Sequence, residues 1–130
     1  MISLTSKYAL RTMIELAGQE SEDFVRVKDL AVSVRVPGPY LAKILKQLVK
    51  TGHLIGRKGP GGGIKITKRG KSASFYDICA AMGDPLLNQS CFLSRKACSG
   101  DTPCPMHDHW AKVRGAMFKF LELSKVAETK

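Results

Sequence analysis

A mainly α-helical fold with one small β-hairpin is predicted by three observations. Apolar residues recur at helical spacing in several separate segments, and one glycine-rich stretch divides two short β-prone runs. The balance of 44% hydrophobic to 25% charged residues is that of an ordinary folded domain. Disordered, collagen-like and purely coiled-coil classes are thereby excluded. At 130 residues the chain has room for one domain, or one domain with an appendage. No apolar run reaches the roughly 18–20 residues of a bilayer span, and the first residues alternate polar and apolar instead of forming a leader. The expectation is a soluble, cytoplasmic protein with no membrane partner.

The first helix is expected over residues 6–17, where Tyr8, Leu10, Met13, Ile14 and Ala17 share a face and Gly18 is placed to cap the end. The acidic stretch 19–23 reads as a loop. A short helix over 26–33 centres on Leu30 and Ala31, with 34–36 as its exit turn. Pro37 then stands where a first helical turn tolerates proline, because that N–H would lack a partner anyway. Beyond it Tyr40, Leu41, Ile44, Leu45, Leu48 and Val49 form one apolar stripe closed by Gly52, while Lys43, Lys46 and Lys50 lie on other faces. A short helix, a tight turn and a longer helix with basic exposed positions make a helix-turn-helix pattern. Residues 54–57 and 64–66 read as two strands joined by the turn 58–63, and a basic hairpin in that place is a wing. The turn lacks the Gly-Lys-Ser/Thr ending of a P-loop and opens no helix, which argues against nucleotide binding.

Ser74 and Asp77 have capping-box spacing and open a helix with Phe75, Ile78, Cys79 and Met82 on one side, ending at Gly83. Cys79 falls on the apolar stripe and reads as a core thiol. Residues 84–104 form a long loop, and a last helix runs from near Pro105 to about Ala127. Along it Met106, Trp110, Val113, Met117, Phe120, Ser124 and Ala127 alternate in steps of four and three, a seam suited to packing against its twin in a homodimer. The chain thus divides into a winged helix-turn-helix DNA-binding domain (1–82), a cysteine-rich loop (83–104) and a dimerisation helix with its tail (105–130).

Charge points to a polyanionic partner. The formal net charge is +10, and residues 1–71 hold 14 basic against 5 acidic residues, whereas 72–130 hold 7 and 6. Between Phe24 and Lys71 the only acid is Asp29, against twelve Lys or Arg. Such concentration on half of a small chain suits nucleic acid or an anionic membrane surface, and the helix-turn-helix with its wing favours double-stranded DNA. Arg57, Lys58, Lys65, Lys68 and Arg69 are expected to decorate the wing, placed for phosphates or a minor groove. No carboxylate pair, nucleophile–base motif or cofactor fingerprint is present, so neither an enzyme nor a small-molecule substrate is expected.

The remaining chemistry lies in Cys91-x6-Cys98-x5-Cys104-x2-His107. Cys104 precedes a helix start, where the dipole and free N–H groups favour thiolate. His107 sits on the same side of the first turn, whereas His109 points elsewhere. Three thiolates and one imidazole suit zinc or an iron–sulfur cluster, not calcium or magnesium. Wide gaps favour a larger cofactor that can be lost or altered. A zinc-stabilised site and a cluster-free, thiol-only redox regulator remain the alternatives.

In chain order, Leu4-Thr5-Ser6-Lys7-Tyr8-Ala9-Leu10-Arg11, Pro39-Tyr40-Leu41, the run Arg57 to Gly63, and Cys91/Cys98/Cys104/His107 before a long helix together resemble the Rrf2 family of bacterial winged-helix transcription regulators. The resemblance covers essentially the whole chain. It implies a homodimer on near-palindromic operators, with DNA binding controlled by an iron–sulfur cluster that senses cluster supply, iron, nitric oxide or redox stress. It also implies a DNA-facing set of Lys28, Pro37, Pro39, Tyr40, Lys43, Arg57, Lys58, Gly61 and Lys65, and cluster ligands Cys91, Cys98, Cys104 and His107. Two departures matter. The first cysteine gap is one residue longer than in common members, and Lys7 stands where some relatives place an acidic or amide ligand. A lysine offers no lone pair at neutral pH, which favours His107 as fourth ligand and 2Fe–2S over 4Fe–4S.

Overall fold

The computed structural model describes residues 2–88 and 105–128. Helix α1 (Leu4–Gly18) is the element on which the others pack, and its buried face carries Ser6, Ala9, Leu10, Thr12, Met13 and Leu16. It starts two residues earlier than the apolar pattern suggests because the Ser3 side chain caps it, accepting the Ser6 N–H at 3.1 Å. At the other end Gly18 stays helical, and Gln19 in extended conformation is the cap.

Helix α2 (Val27–Val34) ends on Arg35, a non-glycine residue in the left-handed region at φ 57°. The Arg11 guanidinium donates to the Val34 carbonyl beside it, holding a turn that costs roughly 1 kcal/mol in backbone strain. The chain is thereby redirected into α3 (Gly38–Lys50), with Pro37 at the cap and Pro39 in the first turn. Leu41, Ile44, Leu45 and Leu48 are buried as expected, but Tyr40 and Val49 are each 37% exposed, so the stripe is narrower than the sequence indicates. At the exit, Gly52 adopts φ +85°, donating to the Val49 carbonyl, while His53 N–H reaches Leu48 O; both bonds are 3.0 Å. This Schellman turn points the chain straight into the hairpin.

Strands β1 (Leu54–Arg57) and β2 (Gly63–Ile66) pair antiparallel, with Leu54 opposite Ile66 and Arg57 opposite Gly63. Val25 adds a bridge to Ile64, with both backbone bonds at 2.8 Å, and so fastens the loop before α2 to the hairpin. A four-residue helix, α4 (Lys68–Lys71), follows and was not foreseen; Thr67 caps it by accepting the Gly70 N–H at 3.0 Å. Lys68 and Arg69 therefore sit on α4 and not on the wing. Gly70 packs so tightly that a Cβ there would lie 2.2 Å from the His53 carbonyl oxygen.

Helix α5 (Phe75–Ala81) opens with the expected capping box: Ser74 Oγ accepts the Asp77 N–H at 3.1 Å, and Asp77 Oδ2 accepts the Ser74 N–H at 2.9 Å. Cys79 is fully buried in the core, as its place on the apolar stripe predicts, and burial pushes its thiol up to about 11, away from the thiolate form. A 3₁₀ turn, Pro85–Asn88, leads out of this helix. Cys91, Cys98 and Cys104 lie outside the described residues. Helix α6 (His107–Leu123) stops short of Ala127 because Ser124 turns extended. Its carbonyl takes the Phe75 N–H at 2.9 Å, and Val126 N–H reaches Ala73 O at 3.1 Å. Leu121 and Val126 join the core with α1 and α5.

Gly70→Ala should lower the urea midpoint by the equivalent of about 2 kcal/mol or more, because neither backbone can yield. An unchanged midpoint would mean the α4–His53 contact is loose.

Candidate nucleic-acid interface

The nine DNA-facing candidates fall into four groups. Pro37, Pro39 and Lys43 are exposed at the entry and first turns of α3, the end that reads base edges in a helix-turn-helix. Tyr40 belongs to the same turn but is tied inward: its hydroxyl shares a hydrogen bond with Thr5 Oγ1, and its ring stands edge-on to Tyr8 at 5.4 Å. It sets the lean of α3 on α1 while leaving one edge in solvent. Lys28 is exposed on the first turn of α2.

The hairpin splits into a turn and its paired strands. Lys58 and Gly61 are exposed in the turn, where Gly61 holds φ +74°, a conformation open to glycine. Arg57, at the end of β1 next to the turn, and Lys65, in the middle of β2, already have partners. The Arg57 guanidinium lies 4.3 Å over the Phe24 ring, and Lys65 Nζ is 5.9 Å from the same ring. Lys65 also pairs with Glu22 Oε2 at 3.7 Å, while Lys71 takes Glu22 Oε1 at 3.3 Å. The Lys71 hydrogen bond and charge, followed by the Lys65 charge, hold the Glu22 carboxyl below the usual carboxylate range. Glu22 and Phe24, before α2, thus occupy Lys65 and Arg57, two of the cations expected to meet phosphate. Sequence reasoning missed Phe24 and Glu22, because both contacts close over roughly forty residues and leave no local signal.

Among the described residues no group of three or more potential metal ligands is assembled. His107 opens α6 half-buried, His109 is exposed, and Lys7 is exposed on α1. Among the described residues Asp84 is the one buried carboxylate, 3% exposed, and it is fully engaged. Burial alone would raise its pKa, but hydrogen bonds from Ser6 Oγ (2.6 Å), Ser3 N–H (2.8 Å) and Leu86 N–H (3.0 Å) outweigh it and hold the carboxyl low.

A helix-turn-helix whose second helix shows lysines to solvent, followed at once by a hairpin with a basic tip, defines a winged-helix DNA-binding protein. Residues 2–129 match the Rrf2 family, described as iron-dependent transcriptional regulators, and the chain belongs to that family. It is 31% identical over 124 residues to a protein of Aquifex aeolicus named as an HTH-type transcriptional regulator, covering 94% of this chain and 85% of that one. Its fold matches CymR, the global cysteine regulator of B. subtilis, with a TM-score of 0.78 at 22% identity over 100% of this chain and 98% of that one. IscR of T. potens superposes with a TM-score of 0.73 at 20% identity, covering 98% and 83% of the two chains. The protein is a transcription regulator and not an enzyme.

Two substitutions separate the groups. Lys43→Ala should weaken binding to a selected operator by about 1–3 kcal/mol in fluorescence anisotropy if Lys43 reads a guanine, and an unchanged isotherm removes it from the interface. Glu22→Gln should tighten duplex binding and steepen its salt dependence more than Glu20→Gln, which changes charge equally on the same loop. Equal effects would show that only net charge matters.

Proposed function

We propose that this regulator works as a homodimer on a near-palindromic operator, and that a soft-metal centre on Cys91, Cys98, Cys104 and His107 sets its affinity. One observation carries the coupling. His107 opens α6, and Met106 at its cap with Val113 and Phe120 on the helix forms a solvent-facing apolar line at seven-residue spacing. A single chain gains nothing by exposing that line, and a twin helix would cover it. Trp110 and Met117, the alternate seam positions, lie half-buried on the same helix. Whatever fixes the first turn of α6 therefore bears on how two protomers are set against each other.

The donor set fits the proposed centre chemically. Thiolates and an imidazole take zinc or an iron–sulfur cluster and reject hard cations. When bound, such a cluster supplies sensitivity to iron, nitric oxide or oxidant through its gain, loss or alteration. The protein's own part is to hold the His107 imidazole at the head of α6 and to place α3 of each protomer toward one duplex. Lys7, exposed and cationic, offers no competing ligand. Two recognition helices spaced by roughly 34 Å meet successive major grooves on one face, while the Lys58 tips reach the flanking backbone. Shifting α6 changes that spacing and hence affinity.

Protein purified without oxygen should be coloured, with about two iron and two sulfide per chain for a 2Fe–2S centre, and Cys98→Ala should bleach it. A colourless protein with one zinc per chain contradicts the cluster and leaves a structural site. A colourless, metal-free protein contradicts both and leaves the thiols as sensor.

A further inference from the structure

A cleft of about 380 Å³ opens where the exit of α3, helix α4 and helix α5 meet. Its polar wall holds His53, Arg69 and Asp77, and its apolar wall includes Ala80 and Ala81. The His53 ring is buried, with Nδ1 bonded to Thr51 Oγ1 at 2.8 Å. Burial, then the Arg69 charge, favours its neutral form, against a weaker pull from Asp77. Arg69 and Asp77 line the same cleft as this ring. Neither pairs with the other, since the ion pairs among the described residues are those of Glu22. Asp77 engages only Oδ2, in its capping bond to Ser74, and leaves Oδ1 open. The Arg69 guanidinium donates no hydrogen bond to the described residues and remains exposed to solvent.

A guanidinium and a carboxylate that share a cleft without reaching each other are bridged by a ligand carrying both complementary charges. A phosphate or other polyanion would meet the Asp77 charge, and a simple cation would meet that of Arg69. A metal ion would find one carboxylate and one imidazole beside a guanidinium, too few donors in a repulsive setting. A zwitterion satisfies both, because guanidinium grips carboxylate in fork geometry and carboxylate accepts ammonium. We propose that this cleft binds a small α-amino acid, with its carboxylate on Arg69, its ammonium on Asp77 and a short side chain against Ala80 and Ala81. Neutral His53 then adds a hydrogen-bonding partner without adding charge. The walls belong to the turn leaving α3 and to the helix following the hairpin. Occupancy thus stiffens the joint between the two surfaces that face DNA. None of its lining residues is a proposed metal ligand, so its test stands apart from the metal reading.

The full chain, isotopically labelled, would be titrated with glycine, L-alanine and L-serine to about 20 mM, a range that covers millimolar affinities. Propionate and ethylamine, the two halves of alanine, serve as controls. Saturable amide shifts at Thr51, Arg69 and Asp77 are expected with at least one amino acid, with both halves weaker by about tenfold or more. Arg69→Gln and Asp77→Asn should each weaken binding by a similar factor. Arg69 lies outside the α5 cap and is the cleaner variant, and unchanged circular dichroism confirms the fold of both. No saturable shift with any of the three overturns the proposal. So does propionate binding as tightly as alanine, or Arg69→Gln binding like the parent.

Discussion

Both surfaces proposed to face DNA depend on the turn that leaves α3. Gly52 reverses the helix end, and the His53 backbone is then held from two sides: its carbonyl accepts the Thr67 N–H at 3.2 Å, and Gly70 rests directly against it. Thr67 Oγ1 adds a bond to the Gly52 carbonyl at 2.7 Å. The recognition helix and the hairpin root are thus two ends of one rigid joint instead of separate elements on a linker. A base-reading helix needs its side chains placed within a fraction of an ångström, and a loosely hinged wing would add only nonspecific charge. The bridge between Val25 and Ile64 fastens the hairpin a second time, from the opposite side.

A comparable constraint sits at the other end of α1. Asp84 is a buried carboxylate, which is tolerable only because three donors satisfy it, two of them from Ser3 and Ser6 at the head of α1. This pins the 3₁₀ turn Pro85–Asn88, the segment that leads toward the cysteines, to the first turn of α1. From the same helix Tyr8 braces Tyr40 of α3. α1 therefore links the turn Pro85–Asn88 to α3, through hydrogen bonds at its head and the Tyr8–Tyr40 contact.

Much of this was legible in the sequence because it is written in local chemistry. The α3 stripe, the glycine-rich hairpin turn and the Ser74–Asp77 box each depend on residues within a few positions of one another, and each appears in place. What escaped depends on partners far along the chain. α4 has three basic residues and a glycine, no apolar period, and exists because Gly70 fits against His53. The seam of the last helix continues on paper to Ala127, yet backbone bonds from Ser124 and Val126 to Phe75 and Ala73 win and end it at Leu123. At the candidate interface, the basic character of the hairpin was plain. That Arg57 lies on Phe24, and Lys65 on Glu22, was not.

In the proposed function two copies of this joint address one duplex together. Hydroxyl-radical footprinting on an operator selected from random duplexes should show two protected half-sites about 34 Å apart on one face of the helix, related by a twofold axis, with flanking minor-groove protection lost in Lys58→Ala. A single half-site, or protection without helical phasing, would contradict it.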